Sequence, residues 1–480
     1  MSGKRRFGPI GLAALWLALW GLFWPPPAQA EPPPDLAKAR FVDDLPAMEQ
    51  RGFIRFGVAY SPTYFFFQKG RPTGYEYSLA EKYRLRLNER RRAQGQPPVD
   101  LLFVPMTRDR LIPALLEGRV DVIAAGLTIT DKRAAQADFT APYLDGVEEW
   151  IVSGKKVGGL KSLDDLAGRE VCVRRSSSYF DNLLRLNQSL AARGLPPIKI
   201  VPAEETLATE DILEMVSAGI VPITVADSHM AELWAQALPG LALHRKLALA
   251  KGDRLAWMVR PSNPLLKASL DEFLAGRRQS AVLSRAKFKN HCRPAQRLKN
   301  PFSAKNMRRY AQCRPYIDKY AAKAGMDPLL VAALAFVESG FNPKAKSPGG
   351  AVGVMQLRPG GSGGRRYNAA QLQDPEINIR LGVGYLAQIR DTCFTDRDMA
   401  EEDRMLFALA AYNAGPRRLS TLRERACDMG QDPNVWFWQS EVAAHKVLSD
   451  HSVHFVRRVN KIYAAYKFDQ RRRQGDFADN

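Results

Sequence analysis

Five cysteines in 480 residues are too few for a disulfide scaffold. None lies beside the small-residue stretch Ala28-Gln29-Ala30, which argues against a bacterial lipoprotein anchor. Long apolar runs are as scarce. One, Gly8 to Trp24, follows Lys4, Arg5 and Arg6 and leads to Ala28-Gln29-Ala30. A charged n-region, an apolar h-region and an A-x-A site predict a signal peptide over 1–30. Read otherwise, the run is a membrane anchor at the short limit for spanning. No second run is long enough to cross a bilayer, so the remaining chain is expected outside the cytoplasm, soluble or peripheral. Acids are the minority charge, 50 against 70 Lys and Arg, a net +20. Outside the cytoplasm that excess suits an anionic envelope, membrane surface or wall polymer. No RNA- or DNA-binding module is visible, so nucleic acid is not an expected partner. The alternative is charge for solubility, with Arg90–Arg92 and Arg471–Arg473 read as solvated clusters.

What is present divides into two grammars. After a Pro-rich lead over 31–44, short apolar runs alternate with amphipathic segments. Examples are FIRFGVA, VDLLFVP, DVIAAG, EEWIVS, REVCVR, PIKIVP, VPITVA and LAWMVR. This predicts an α/β domain with largely parallel sheets over 45–276. A basic linker follows over 277–302. Strand signals then vanish, and 303–470 reads as all-α, with a basic tail over 471–480. Asp327-Pro328 and Asp374-Pro375 open helices as N-cap and first-turn proline. Gly415-Pro416 stops a helix over Met405–Ala414, and more helix is expected over Val442–Tyr466. By proximity in sequence, Cys292 could pair with Cys313 and Cys393 with Cys427, leaving Cys172 buried in a strand.

One carboxylate stands out. After Glu338 no Asp or Glu follows until Asp374. Leu330, Leu334 and Glu338 are spaced by four, and Val331 and Ala335 share nearly the same stripe, so Glu338 falls on the apolar face of a helix. It is in the last turn, with Gly340 as the stop. Burial and the negative helix end both disfavour its ionised form. A carboxyl so placed holds its proton near neutral pH, as a general acid must. The competing placement tips it out into solvent. The following SPGGAVGVMQ places glycines at 349, 350 and 353, which allow close backbone approach. Ser347 and Gln356 there offer hydrogen bonds.

Glu338-Ser339, Asn342-Pro343, Ala345, Ser347, Gly350-Ala351 and Gly353-Val354-Met355-Gln356 resemble the signature of lytic transglycosylases with a lysozyme-like fold. Asp374-Pro375 with Asn378-Ile379, Gly382 and Tyr385-Leu386 is similar to a second family block, and Ala411-Tyr412-Asn413-Ala414-Gly415 to a third. The resemblance implies cleavage of the MurNAc–GlcNAc bond of peptidoglycan without hydrolysis. Glu338 would serve as acid and then as base on the muramyl 6-hydroxyl. Ser339, Ser347, Met355, Gln356, Tyr412 and Asn413 would line the glycan groove, and no cofactor or metal is implied. Two departures stand out: the Gly-rich Arg358–Gly364, and His451 with Phe455 where the family often has Glu and Tyr. His451 and His454 are read as surface residues rather than metal ligands. Two other readings stay open: a lysozyme-type hydrolase, which needs a second acid, and a wall-binding protein that does not cut.

Over about 51–276 the chain resembles extracellular solute-binding domains that capture polar amino acids. Gly74-Tyr75-Glu76 stands where that family has G-F-D. Asp121, Gly126, Thr130 and Arg133 follow a D-x-x-x-x-G-x-x-x-T-x-x-R pattern. The resemblance implies a two-lobed periplasmic-binding-protein-like domain. In it Thr128 and Arg133 would hold a ligand carboxylate, Ser176, Ser177 and Ser178 an anion at a helix start, and Asp227 an amine. Phe65, Phe66 and Tyr143 would pack on the ligand. Arg133 as a surface residue and the serines as a plain helix cap are the alternatives. The ligand would be a small amino acid or muropeptide. The expected location is the periplasm, peripheral to the outer membrane.

Overall fold

The computed structural model describes residues 39–68, 71–277, 279–280, 298–360 and 367–475. The expected signal peptide, Cys292, most of the linker and the glycines at 361, 363 and 364 lie outside them. In the first half the apolar runs form strands, but the sheets are mixed rather than largely parallel. Phe53–Ala59 pairs in parallel with Asp100–Met106 and Val122–Thr128. Asp253–Val259 then joins Val122–Thr128 antiparallel. The second sheet sets Glu149–Gly154 antiparallel between Ile223–Asp227 and Leu241–Ala248. Glu170–Arg174 and Lys199–Ala203 remain a parallel pair. The reason is topological. The chain leaves the first lobe after Leu144–Val147, builds the second from Glu149 onward, and returns after Leu241–Ala248. Strands that cross and return run opposite to the βαβ units. At the crossing, Glu149 N–H donates to Ala250 O at 3.0 Å and Leu249 N–H to Glu149 O at 2.8 Å.

The second half is helical, as its sequence grammar predicts. Asp327 caps Pro328–Ser339 by accepting from Leu329 N at 2.8 Å. Asp374 caps Pro375–Cys393 by accepting from Ile377 N at 2.9 Å. The expected Val442–Tyr466 helix is two helices, Glu441–Val447 and Asp450–Gln474, because Ser449 caps a new start, accepting from Ser452 N at 3.3 Å. The last helix ends at Gly475, beyond the boundary read at 470.

That final helix joins the halves. Val453, Val456, Val459 and Ile462 pack in the core of the helical half, while Ala464, Ala465 and Phe468 pack in the core of the α/β half. Burial of apolar faces on both sides fixes its position. Its polar positions continue the joint. Lys461 Nζ meets Asp211 at 2.6 Å and Glu214 at 2.8 Å. Arg471 meets Glu204 at 2.8 Å. Arg471 is therefore docked rather than solvated. Arg91 likewise pairs with Glu49 at 2.8 Å from a buried position. Cys172 is buried as expected. Cys313, Cys393 and Cys427 are free thiols, so the 393–427 pairing is not formed.

Candidate active site and ligand cleft

Glu338 sits in the last turn of Pro328–Ser339. Gly340 ends that turn in the left-handed region, its N–H bonded to Phe336 O at 2.8 Å. Glu338 is half-buried, so the residue keeps some access for a substrate. Burial pushes its pKa up to about 8, and Arg458 on the final helix pulls weakly the other way. No ion pair joins Glu338 and Arg458 among the described residues, and no second acid acts on Glu338 there. The site therefore holds one proton at neutral pH and one carboxyl to carry it.

The segment after the helix is folded back on itself. Val352 bridges to Lys346 on one side and Leu357 on the other. Asn378, fully buried, holds it down. Its amide donates to Val352 O at 3.0 Å and Leu372 O at 2.8 Å, and its oxygen accepts from Met355 N at 2.7 Å. Gly353 is required there. At φ +87° a Cβ would lie 2.3 Å from the Asn378 amide and from Leu372 O. The sequence block contains Asn378, but its part as the clamp of the loop is visible only in three dimensions.

The expected groove residues divide. Ser339 Oγ donates to Val354 O at 2.7 Å and accepts from Asn342 N at 3.1 Å, so its hydroxyl ties helix to loop. Ser347 Oγ accepts from Ala351 N at 3.0 Å. Gln356, at φ +52°, donates to Gly353 O at 2.8 Å. Tyr412 donates to Met355 O at 2.7 Å. Burial raises its pKa well above the usual phenol value, and the charge of nearby Glu338 adds to that. Asn413 is half-buried and makes no side-chain hydrogen bond among the described residues. Met355 does not line a groove. Its side chain is fully buried, and its sulfur would lie 2.5 Å from a Cβ placed at Gly382. Phe455 is likewise a core residue. Of the histidines, His451 is exposed, while His454 is half-buried with its ring 6.3 Å from that of His445.

In the first half a cleft opens between the lobes. Thr128, Arg133, Ser177, Ser178 and Asp227 line it, as the sequence suggests. Arg133 donates to Thr128 O at 2.9 Å and across the lobes to Ser176 O at 3.0 Å. Asp227 accepts from Tyr179 OH at 2.9 Å, and burial pushes its pKa up to about 6. Phe66 and Ser176 are not in the lining. Phe66 is buried in the short strand Phe66–Gln68, and Ser176 Oγ is spent on Glu205 at 2.5 Å. Phe65 stacks on Phe103 at 5.4 Å, and Tyr143 donates to the buried Glu76, so neither aromatic faces the cleft. Glu76 also accepts from Gly126 N at 2.7 Å and Trp257 Nε1 at 2.6 Å, which explains an acid in the place of the family's G-F-D: it holds the cleft floor from behind. Gly126, at φ +59°, leaves the space the Tyr64 ring takes. The lobes are bridged by Ser61 to Glu210 at 2.5 Å, Tyr64 to His229 at 2.6 Å and Trp234 to Thr63 at 2.9 Å.

Many cleft contributors carry no sequence signal, among them Arg108, Arg174, Glu205, Glu210 and Trp438. Trp438 belongs to the helical half and carries a positive φ of 62°. Nothing in its local sequence marks it, because its role depends on how the two halves dock. The helical half also touches both lobes. The Arg457 guanidinium lies 3.4 Å over the Tyr60 ring in the first lobe, and Lys461 reaches Asp211 in the second.

Comparison with known proteins agrees with this division. Residues 54–289 match the bacterial extracellular solute-binding proteins, family 3, and residues 315–434 match the transglycosylase SLT domain. An ancestral arginine-binding protein bound to arginine is similar over 50% of this chain and 97% of its own, at 25% identity and a TM-score of 0.41. A Vibrio cholerae protein named membrane-bound lytic murein transglycosylase F is 29% identical over 89% of this chain and 78% of its own. A Desulfosudis oleivorans protein of the same name is 30% identical over 92% of this chain and 90% of its own. With both halves matched in one relative, the chain belongs to the membrane-bound lytic murein transglycosylase F family.

Proposed function

We propose that the chain cleaves the β-1,4 bond between MurNAc and GlcNAc in peptidoglycan without water, with Glu338 as the single acid and base. The observation that carries this reading is a carboxyl held at a pKa of about 8 with no second acid acting on it among the described residues. Glu338 gives its proton to the glycosidic oxygen, and the bond from that oxygen to the muramyl anomeric carbon breaks. The carboxylate left behind takes the proton of the muramyl 6-hydroxyl, whose oxygen closes on the anomeric carbon as a 1,6-anhydro ring. Glu338 ends protonated, as it began, and no water is consumed. A hydrolase would need a further carboxylate to activate water. Asn413, half-buried and with no side-chain hydrogen bond among the described residues, is the groove residue best able to contact the glycan. Glu338→Gln tests the reading. Solubilisation of isolated wall is expected to fall by about 10²–10⁴-fold or more, while sedimentation with the wall stays intact. Undiminished solubilisation would overturn it.

We further propose that the interlobe cleft captures an amino acid or a short peptide, with Thr128 and Arg133 at its carboxylate and Asp227 at its amine. Capture is coupled to the cutting half. Trp438 lines the cleft, and consecutive residues of the final helix face the two sites, Arg457 toward Tyr60 and Arg458 toward Glu338. Opening or closing of the lobes must then alter contacts made by that helix. Equal cutting rates with and without a ligand shown to bind would remove the coupling. The expected location is the periplasmic face of the outer membrane, held by charge. Among the described residues no helix is long and apolar enough to cross a membrane. A high-salt wash should release the chain, from which the segment 1–30 has been removed, from envelope fractions.

A further inference from the structure

The cleft is lined by three acids, Glu205, Glu210 and Asp227, and three arginines, Arg108, Arg133 and Arg174. The two sets are not equivalent. Each acid is already served by protein donors. Glu205 accepts from Ser176 N at 3.0 Å and Ser176 Oγ at 2.5 Å. Glu210 accepts from Ser61 Oγ at 2.5 Å and Thr63 N at 3.2 Å, and Asp227 from Tyr179.

No arginine of the three makes an ion pair among the described residues. Arg133 spends its fork on two carbonyls. Arg174, 5% exposed, donates to Leu207 O at 2.5 Å and Thr209 Oγ1 at 3.0 Å, and its buried Nε has no partner. Arg108, at the start of Arg108–Leu116, makes no hydrogen bond or ion pair at all among the described residues. The Trp438 Nε1 donor, in the same lining, is buried without a partner. Burial pushes the Arg133 pKa down to about 10 and that of Arg174 down as well. Neighbouring Arg108 adds to both shifts, while Asp181 and Glu149 act the other way on Arg133, and Glu205 and Glu210 on Arg174.

A ligand head group uses one arginine for its carboxylate and Asp227 for its amine. Of the two guanidiniums that remain, Arg174 has Glu205 and Glu210 acting on it, while Arg108 makes no hydrogen bond or ion pair among the described residues, and the Arg174 Nε and Trp438 Nε1 donors are unpartnered. A cationic side chain would set like charge against Arg108 and a neutral one would leave it unpaired, whereas an acidic one would pair with it and accept from the unpartnered donors. We propose that the interlobe cleft selects an α-amino acid with an acidic side chain, its second carboxylate met by Arg174 from one lobe and Arg108 from the other. Contact from both lobes would favour the closed arrangement. The inference rests on the ligand-capture reading above and adds the class of ligand.

Calorimetric titration of the full chain with L-glutamate, L-glutamine, L-leucine and L-arginine tests it. L-glutamate is expected to bind about tenfold tighter than L-glutamine, or better. Arg108→Met, at a half-buried position without a hydrogen bond or ion pair, should leave thermal unfolding unchanged and bring L-glutamate down to the affinity that the same variant shows for L-glutamine. Arg174→Met should do the same if it folds, and Arg108→Met alone decides if it does not. If L-glutamine, L-leucine or L-arginine binds as tightly as L-glutamate, or if Arg108→Met leaves the preference intact, the acidic selection is wrong while capture stands. If none of the four binds, amino-acid capture itself fails and the selection with it.

Discussion

Two regions of the molecule handle buried charge in opposite ways. Around Asp121 in the α/β half and along the joint, ionised groups are gathered and matched. Asp121 is ringed by Arg51, Arg55 and Arg260, and Lys461 is held between Asp211 and Glu214. The groove at Glu338 holds one acid with no matched partner, which suits its proposed part as a proton donor that must stay uncharged. The same change, neutralising one enclosed ionisable side chain, should therefore have opposite signs in the two places.

The largest effect on stability is expected at the joint. Burial works to lower the Lys461 pKa, but Asp211 and Glu214 more than offset it, so the amine stays charged. Lys461→Met leaves two acids facing each other, and should cost about 3–5 kcal/mol in denaturant unfolding. A cost near zero would mean that the joint does not depend on this cluster. Next is Asn378→Ala, which strands the groups that clamp the loop over 345–357. A loss of about 1–3 kcal/mol is expected, with a fall in wall cutting although Asn378 touches no substrate. Cutting that survives intact would separate loop order from catalysis.

Smaller effects sharpen the contrast in the groove. Cutting should fall as pH rises through about 8, since the acid form of Glu338 is then lost. Arg458 favours the charged form, so Arg458→Gln should move that alkaline limb to higher pH. An unmoved limb would assign it to another group. The subtlest effect is on melting. The folded pKa of Glu338 lies above the unfolded value of about 4.3. Between the two, ionisation in the unfolded chain weakens the fold progressively. Glu338→Gln should thus raise the melting temperature at pH 8 and leave it unchanged near pH 4, the reverse of the loss expected for Lys461→Met.

Legibility in the sequence follows the same division. Glu338, its helix stop at Gly340 and the loop to Gln356 are contiguous, so spacing alone puts the acid on the apolar face. The N-caps Asp327 and Asp374 are local devices and equally readable. Met355 misleads because it occupies a signature position while its side chain packs against Gly382. The cleft is assembled from residues between Ala59 and Met230 and completed by Trp438. Side chains so far apart meet only after the lobes and the final helix have docked. Phe66 and Ser176 were plausible by position, yet one faces the core and the other is taken up by Glu205. Antiparallel strands at the crossing between lobes were unreadable because strand direction leaves no mark in an apolar run.

Mass spectrometry of the fragments released from purified wall most directly tests whether a solitary proton carrier suffices. Muramyl ends lighter by one water than reducing ends, and unlabelled when cutting is done in ¹⁸O-water, are expected. Reducing ends that carry the label would show that water is the nucleophile and would contradict the part proposed for Glu338.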